Sequence, residues 1–153
     1  MLLSRPDIIA QMKKGKIVID PFEARNLKTT SYDLTLGEWY WRETHPATRA
    51  TLHNIYDEKS TKFVWNGPHR AETVKQMKKE MDLPEFRNVP DNAKVILLRP
   101  GETILGHTIE FIGGRDIIVS KMYARSSLGR NFIEVCKDAG WGDIGYINRW
   151  TME

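Results

Sequence analysis

The side chains best suited to chemistry lie between Tyr123 and Glu153. Arg125 and Arg130 bracket Ser126-Ser127-Leu128-Gly129; further on, Ala139-Gly140-Trp141-Gly142-Asp143 leads into a run that ends on Thr151-Met152-Glu153. Guanidinium forks match phosphate oxygens bidentately, serine hydroxyls and turn amides add neutral donors, and Gly129 lets the backbone approach a ligand closely. Two descriptions fit the six residues alone. One is a phosphate cradle; the other is a capped turn in which Ser126 or Ser127 satisfies helix amides and the arginines are solvated.

The elements around this stretch read as mostly β. Period-2 alternation from Ile144 places Ile144, Tyr146, Asn148, Trp150 and Met152 on one face of a strand, with Ile147, Arg149, Thr151 and Glu153 on the other. Upstream, short strand-like runs at 95–98, 103–111 and 116–123 alternate with Pro100-Gly101 and Gly113-Gly114, a pattern of a β barrel or sandwich rather than of βαβ units. A short helix opens the chain: Ser4 and Asp7 form a capping pair, Ile8, Ile9 and Met12 make one apolar stripe, and Gly15 sits where a C-terminal cap belongs. Ile17-Val18-Ile19 is a brief strand ended by Asp20-Pro21. Good helix formers predict a surface helix over 71–81, with Val74, Met77 and Met81 on its apolar side. Trp39, Tyr40 and Trp41 read as a strand packing on a core or interface.

The order Arg125-Ser-Ser-Leu-Gly-Arg130, then Ala139-Gly-Trp-Gly-Asp143, then a strand ending Thr151-Met152-Glu153 resembles the dCTP deaminases of the dUTPase-like superfamily. So do the opening Leu3 to Phe22 with Asn26-Leu27, the triplet Tyr32-Asp33-Leu34, and the run Leu98 to Ile112. The resemblance implies a mainly β chain with a few short helices and a dUTPase-like β-clip barrel or sandwich, as one domain over residues 1–153. The family continues past its last Glu with further strands and a tail over the nucleotide, so the resemblance implies a domain whose C-terminal strands are missing. Two substitutions stand out: Cys136-Lys137-Asp138 occupies the place of a His-x-Thr, and Gly142 that of an apolar residue.

Replacing the amine of cytosine by oxygen needs an activated water, a proton on the ring nitrogen and a proton on departing ammonia. One carboxylate can shuttle all three where its surroundings raise its pKa. The resemblance gives that role to Glu153, with Ser126 and the Ala139 backbone orienting water and Arg130 stabilising developing charge. It makes Arg125, Ser126, Ser127, Leu128, Gly129 and Arg130 the phosphate-binding segment and Asp143 the deoxyribose contact. Ala139, Trp141, Thr151 and Met152 complete the substrate-binding set, and Asp33 supports it. The implied activity is hydrolytic deamination of dCTP to dUTP and ammonia by a homotrimer, in nucleotide metabolism that supplies dTTP. Mg²⁺ accompanies the triphosphate. The alternatives are a dUTPase, a bifunctional deaminase and diphosphatase in which Asp33 or Asp143 directs water to phosphorus, and a nucleotide-binding homologue of weakened activity.

Composition narrows the classes. The chain has 153 residues, 41% hydrophobic and 28% charged, ordinary for a globular domain. A net charge of +3 and a pI near 9.0, with bases scattered among acids, form no nucleic-acid footprint but suit a polyanionic small ligand. Cys136 is the only cysteine, so no internal disulfide forms and a reducing, cytoplasmic setting is expected. No apolar run is long enough to span a bilayer. The histidines His45, His53, His69 and His107 lie in no His-x-Glu pattern, and one cysteine cannot make a Pro-Cys-x-x-Cys pair, so the expected mechanism uses no zinc and the chain no metal site.

Overall fold

The computed structural model describes residues 1–44, 53–82, 84–137 and 139–153; His45 lies outside them. In chain order they form α1 (Arg5–Lys13), β1 (Ile17–Asp20), a 3-10 turn (Ala24–Asn26), β2 (Trp39–Glu43), α2 (Glu58–Lys62), β3 (Trp65–Arg70), β4 (Glu72–Thr73), α3 (Val74–Glu80), β5 (Lys94–Val95), β6 (Ile104–Gly114), β7 (Ser120–Lys121), α4 (Ser126–Gly129), β8 (Trp141–Gly142) and β9 (Asn148–Met152). The architecture is mostly β with short helices, and among the described residues the sheets stay open, with no barrel closed. The chain packs as two compact units: Met1–Gly37 with His107–Glu153, and Glu38–Gly106.

The first unit joins the two ends of the sequence. β1 runs antiparallel to the far part of β6, from Ile17 opposite Gly114 to Asp20 opposite Phe111, and β9 also pairs with β6. α1 starts as its sequence dictates. The Ser4 N–H donates to the Asp7 carboxylate at 3.4 Å, and Gly15, past the Lys14 C-cap, takes φ +69°, a conformation that costs glycine little. The core here is small: Met122, Cys136 and Trp150 are buried together, with Leu34, Ile112, Val135 and Met152 packed on them.

The second unit pairs β2 with β3 and with the start of β6, and β4 with β5. The helix expected over 71–81 begins only at Val74. Thr73 caps it, accepting from the Gln76 N–H at 3.2 Å while Gln76 accepts from the Thr73 N–H at 2.9 Å. Residues 72–73 pair as strand instead. Val74 and Met77 are buried but Met81 is exposed, because the helix has ended before it.

Three strand expectations shrink. Residues 95–98 contribute only Val95 to a strand, and 116–123 only Ser120 and Lys121. Asp116 turns the chain at φ +60° before β7. The strand expected from Ile144 starts at Asn148, because Gly145 takes φ +85° and the Tyr146 N–H closes a turn onto the Asp143 carbonyl at 3.1 Å. Within β9 the alternation holds from Arg149 on: Trp150 is buried and Met152 partly so, while Arg149 and Thr151 are exposed; Asn148, expected on the inner face, is exposed as well.

Candidate active site

Arg125 is the N-cap of α4, so Ser126 to Gly129 form a single helical turn rather than an open loop. The Leu128 and Gly129 N–H groups return to the Arg125 carbonyl, and the Arg130 N–H to Ser126, at 2.9, 3.2 and 3.0 Å. The Ser126 and Ser127 N–H groups, at the start of the turn, find no acceptor among the described residues. Neither serine caps the turn as one of the two descriptions expected: no side chain accepts from its first amides, and both serine hydroxyls are free of intrachain hydrogen bonds among the described residues.

The Arg125 side chain reaches back 92 residues to Asp33. Its Nε donates to Oδ1 at 3.2 Å and a terminal nitrogen to Oδ2, a bidentate fork. Lys28 adds a second cation 3.3 Å from the same carboxylate. Hydrogen bonding from Arg125 leads the causes that hold the Asp33 carboxyl below the ordinary aspartate range, outweighing the partial burial that opposes it. The same pairing raises the Arg125 guanidinium pKa. Asp33 is itself placed by the Leu27–Tyr32 bridge and by its N–H on the Asn26 carbonyl at 2.9 Å. Sequence reasoning missed Lys28, which sits in a turn with no pattern to mark it.

Glu153 follows β9. Its carbonyl accepts the Cys136 N–H at 2.8 Å, and the Cys136 carbonyl accepts from the Ala139 N–H, also at 2.8 Å. Cys136 therefore ties the candidate acid/base to the candidate water-orienting backbone. It does so in an unusual conformation, φ +64°, with its thiol buried against the Met122 sulfur. Burial, helped by the nearby Glu153 carboxylate, pushes that thiol above its ordinary range and keeps it neutral.

The remaining candidates lie on the surface of the same unit. Trp141 in β8 is exposed, with Lys121 Nζ 6.0 Å from its ring. Asp143, Thr151 and Arg130 are exposed, Met152 packs on the core, and Leu128 and Gly129 complete the α4 turn. Among the described residues, the side chains of Arg130, Asp143 and Glu153 form no hydrogen bond or ion pair. What unites the segments is their anchors. Leu34 beside Asp33, Met122 three residues before Arg125, Cys136 three before Ala139, and Trp150 three before Glu153 all belong to one core cluster.

Two concavities lie in the second unit instead, one beside Trp39, His69 and Arg70 and one beside Arg42, Met77 and Glu102; neither contains a motif residue. Among the described residues, no three of His, Cys, Asp and Glu converge where they could hold a metal ion. No helix among them is long and apolar enough to cross a membrane.

These motifs on a mostly β frame have a family counterpart: residues 2–153 match the dCTP deaminase-like family, and the chain belongs to it. Its fold is accordingly of the dUTPase-like class, in an open-sheet form. Among its relatives is a protein of Dictyoglomus thermophilum, 32% identical over 155 residues and matched over all of this chain and 68% of its own length. Another, from Methanococcus aeolicus, is 29% identical over 156 residues, with all of this chain and 72% of the relative covered. A third, from Streptomyces coelicolor, is 29% identical over 153 residues, with coverages of 100% and 68%. Each of the three is named a dCTP deaminase, dUMP-forming.

Proposed function

We propose that this chain hydrolyses the exocyclic C–N bond of dCTP and carries the product on to dUMP. The observation that carries the reading is the shared core under the four motif segments, which sets Glu153, the Ala139 backbone, the α4 turn and the Asp33–Arg125 pair on one unit. The names of the relatives move the end product from the expected dUTP to dUMP, with deamination retained and diphosphate cleavage added.

In the deamination step Glu153 takes a proton from water as its oxygen attacks C4 and passes it to N3, then takes the remaining proton from the C4 hydroxyl and gives it to the leaving amine as the C4 carbonyl forms, so that water and dCTP give dUTP and ammonia. Ser126 and the Ala139 backbone orient the water, and Arg130 stabilises the charge that develops. Arg125, Ser127 and the free amides of α4 hold phosphate oxygens, with Leu128 and Gly129 shaping the turn. Asp143 contacts the deoxyribose; Trp141, Thr151 and Met152 line the nucleotide. A second water then cleaves dUTP to dUMP and pyrophosphate, directed by Asp33 or Asp143. Mg²⁺ would accompany the triphosphate and neutralise part of its charge. We place the chain, acting as one domain over residues 1–153, in a cytoplasmic homotrimer. The exposed apolar side chains beside α4, Tyr123 and Phe132, support such an assembly.

The test is incubation of the purified protein with dCTP and Mg²⁺, following ammonia, pyrophosphate and nucleotides, alongside Glu153→Gln. Ammonia, pyrophosphate and dUMP are expected, with ammonia release lowered about 10²- to 10⁴-fold in the variant. Accumulation of dUTP would confine the activity to deamination. Absence of ammonia from the unmodified protein would overturn the reading.

A further inference from the structure

Gly142 stands where an apolar side chain is expected, and the structure shows what fills that volume. The Trp150 indole lies against Gly142 so closely that a Cβ there would overlap Cζ2 and Cη2 of the ring. The φ of Gly142 is not in the left-handed region, so space rather than backbone conformation demands glycine. Trp150 cannot easily withdraw. Its backbone N–H donates to the buried Thr108 hydroxyl at 2.9 Å, its indole N–H to the Ile112 carbonyl at 2.9 Å, and the residue is 5% exposed. Gly142 is held from the other side by pairing with Ser120 in the β7–β8 ladder.

We infer that Gly142 and Trp150 are a size-matched pair that positions Asp143, making Trp150 a specificity-determining residue for the sugar of the nucleotide. Asp143 follows Gly142 directly and its carbonyl closes the turn with Tyr146, so the indole fixes where Asp143 leaves β8. The Tyr146 ring meets the same indole edge-on at 5.9 Å, bracing the turn from its far end. Trp150 needs no contact with the nucleotide to do this. It acts through the placement of Asp143, and the inference rests on the deoxyribose role proposed for that carboxylate.

A double-mutant cycle on the purified protein tests the pair, with thermal midpoint, kcat and KM for dCTP and the dCTP-to-CTP preference as readouts. Gly142→Ala should raise the KM for dCTP about tenfold and erode the dCTP preference, with a smaller effect on kcat. Trp150→Phe removes the overlapping part of the ring. Added to Gly142→Ala it should return KM to within about threefold of the unmodified protein, a non-additivity expected of residues in contact. Should Gly142→Ala not fold, recovery of fold and dCTP preference in the double variant supports the pair equally. Ile8→Ala, a core change in α1, controls for stability: its midpoint should fall with KM and sugar preference unchanged. Additive effects, or loss of dCTP preference in Ile8→Ala as well, would overturn the inference. If the unmodified protein turns over no dCTP, the functional reading falls first and the inference with it.

Discussion

The two units place their ion pairs differently with respect to the motif residues. In Glu38–Gly106 the ion pairs join residues outside the motifs: Arg42 with Glu102, Arg70 and Lys94 with Glu38, Lys78 with Asp91. Arg42 also donates to the Leu97 carbonyl at 2.9 Å, and Glu102 accepts the Arg99 N–H at 2.9 Å, so that pair closes a loop over the sheet. In the other unit Asp33 and Arg125 are paired, whereas Arg130, Asp143 and Glu153 find no side-chain partner among the described residues. Both concavities lie in the second unit, away from the motif residues.

Removing equivalent cations from the two units should separate them most widely. Arg125→Ala should lower kcat/KM for dCTP about 100-fold, since it deletes the cation proposed to hold phosphate and strands Asp33 beside Lys28 alone. Lysine should rescue it only in part, for want of the planar fork. Arg70→Ala, which loses an ion pair and a contact 5.3 Å from the Trp39 ring, should leave turnover within about twofold. Steady-state kinetics on the variants decide the comparison, and equal losses would erase it.

A smaller effect should appear in acid. Because the folded carboxyl of Asp33 titrates below its unfolded value, the stability it contributes is complete above the ordinary aspartate pKa near 3.8 and is lost as pH falls through the folded value. Thermal midpoints between pH 6 and 2.5 should therefore decline less steeply at the acid end in Asp33→Asn than in the unmodified protein. A parallel decline in both would show that the pair contributes nothing to folding. The smallest effect belongs to the second unit. Thr73→Ala removes the α3 cap and should cost about 1 kcal/mol in urea titrations, with dCTP kinetics unchanged.

What was legible in the sequence depended on the range of the interaction. Local signals held: the Ser4–Asp7 start of α1, the glycine after its end, Trp150 and Met152 on the inner side of β9, and the Arg125–Arg130 segment as a tight turn. Errors came where two local signals competed. Helix propensity ran through 71–73, yet Thr73 makes a better cap than an interior residue, and pairing of Glu72 with Val95 took the residues before it into a strand. Alternation from Ile144 ran across Gly145, whose positive φ turns the chain instead. The unfavourable φ of Cys136 had no sequence signal at all, being imposed by its ties to Glu153 and Ala139. The Asp33–Arg125 pair spans 92 residues and no periodicity reports it; only the resemblance drew both residues into one site.

The state of the single cysteine has a practical use. Cys136 is 3% exposed and its thiol is held in the protonated form, so thiol-reactive dyes at neutral pH meet neither an accessible sulfur nor a thiolate. The protein is in effect already blank for site-directed labelling. A cysteine introduced at exposed Ile117, outside the motifs, would take up a fluorophore alone without any change to the native thiol.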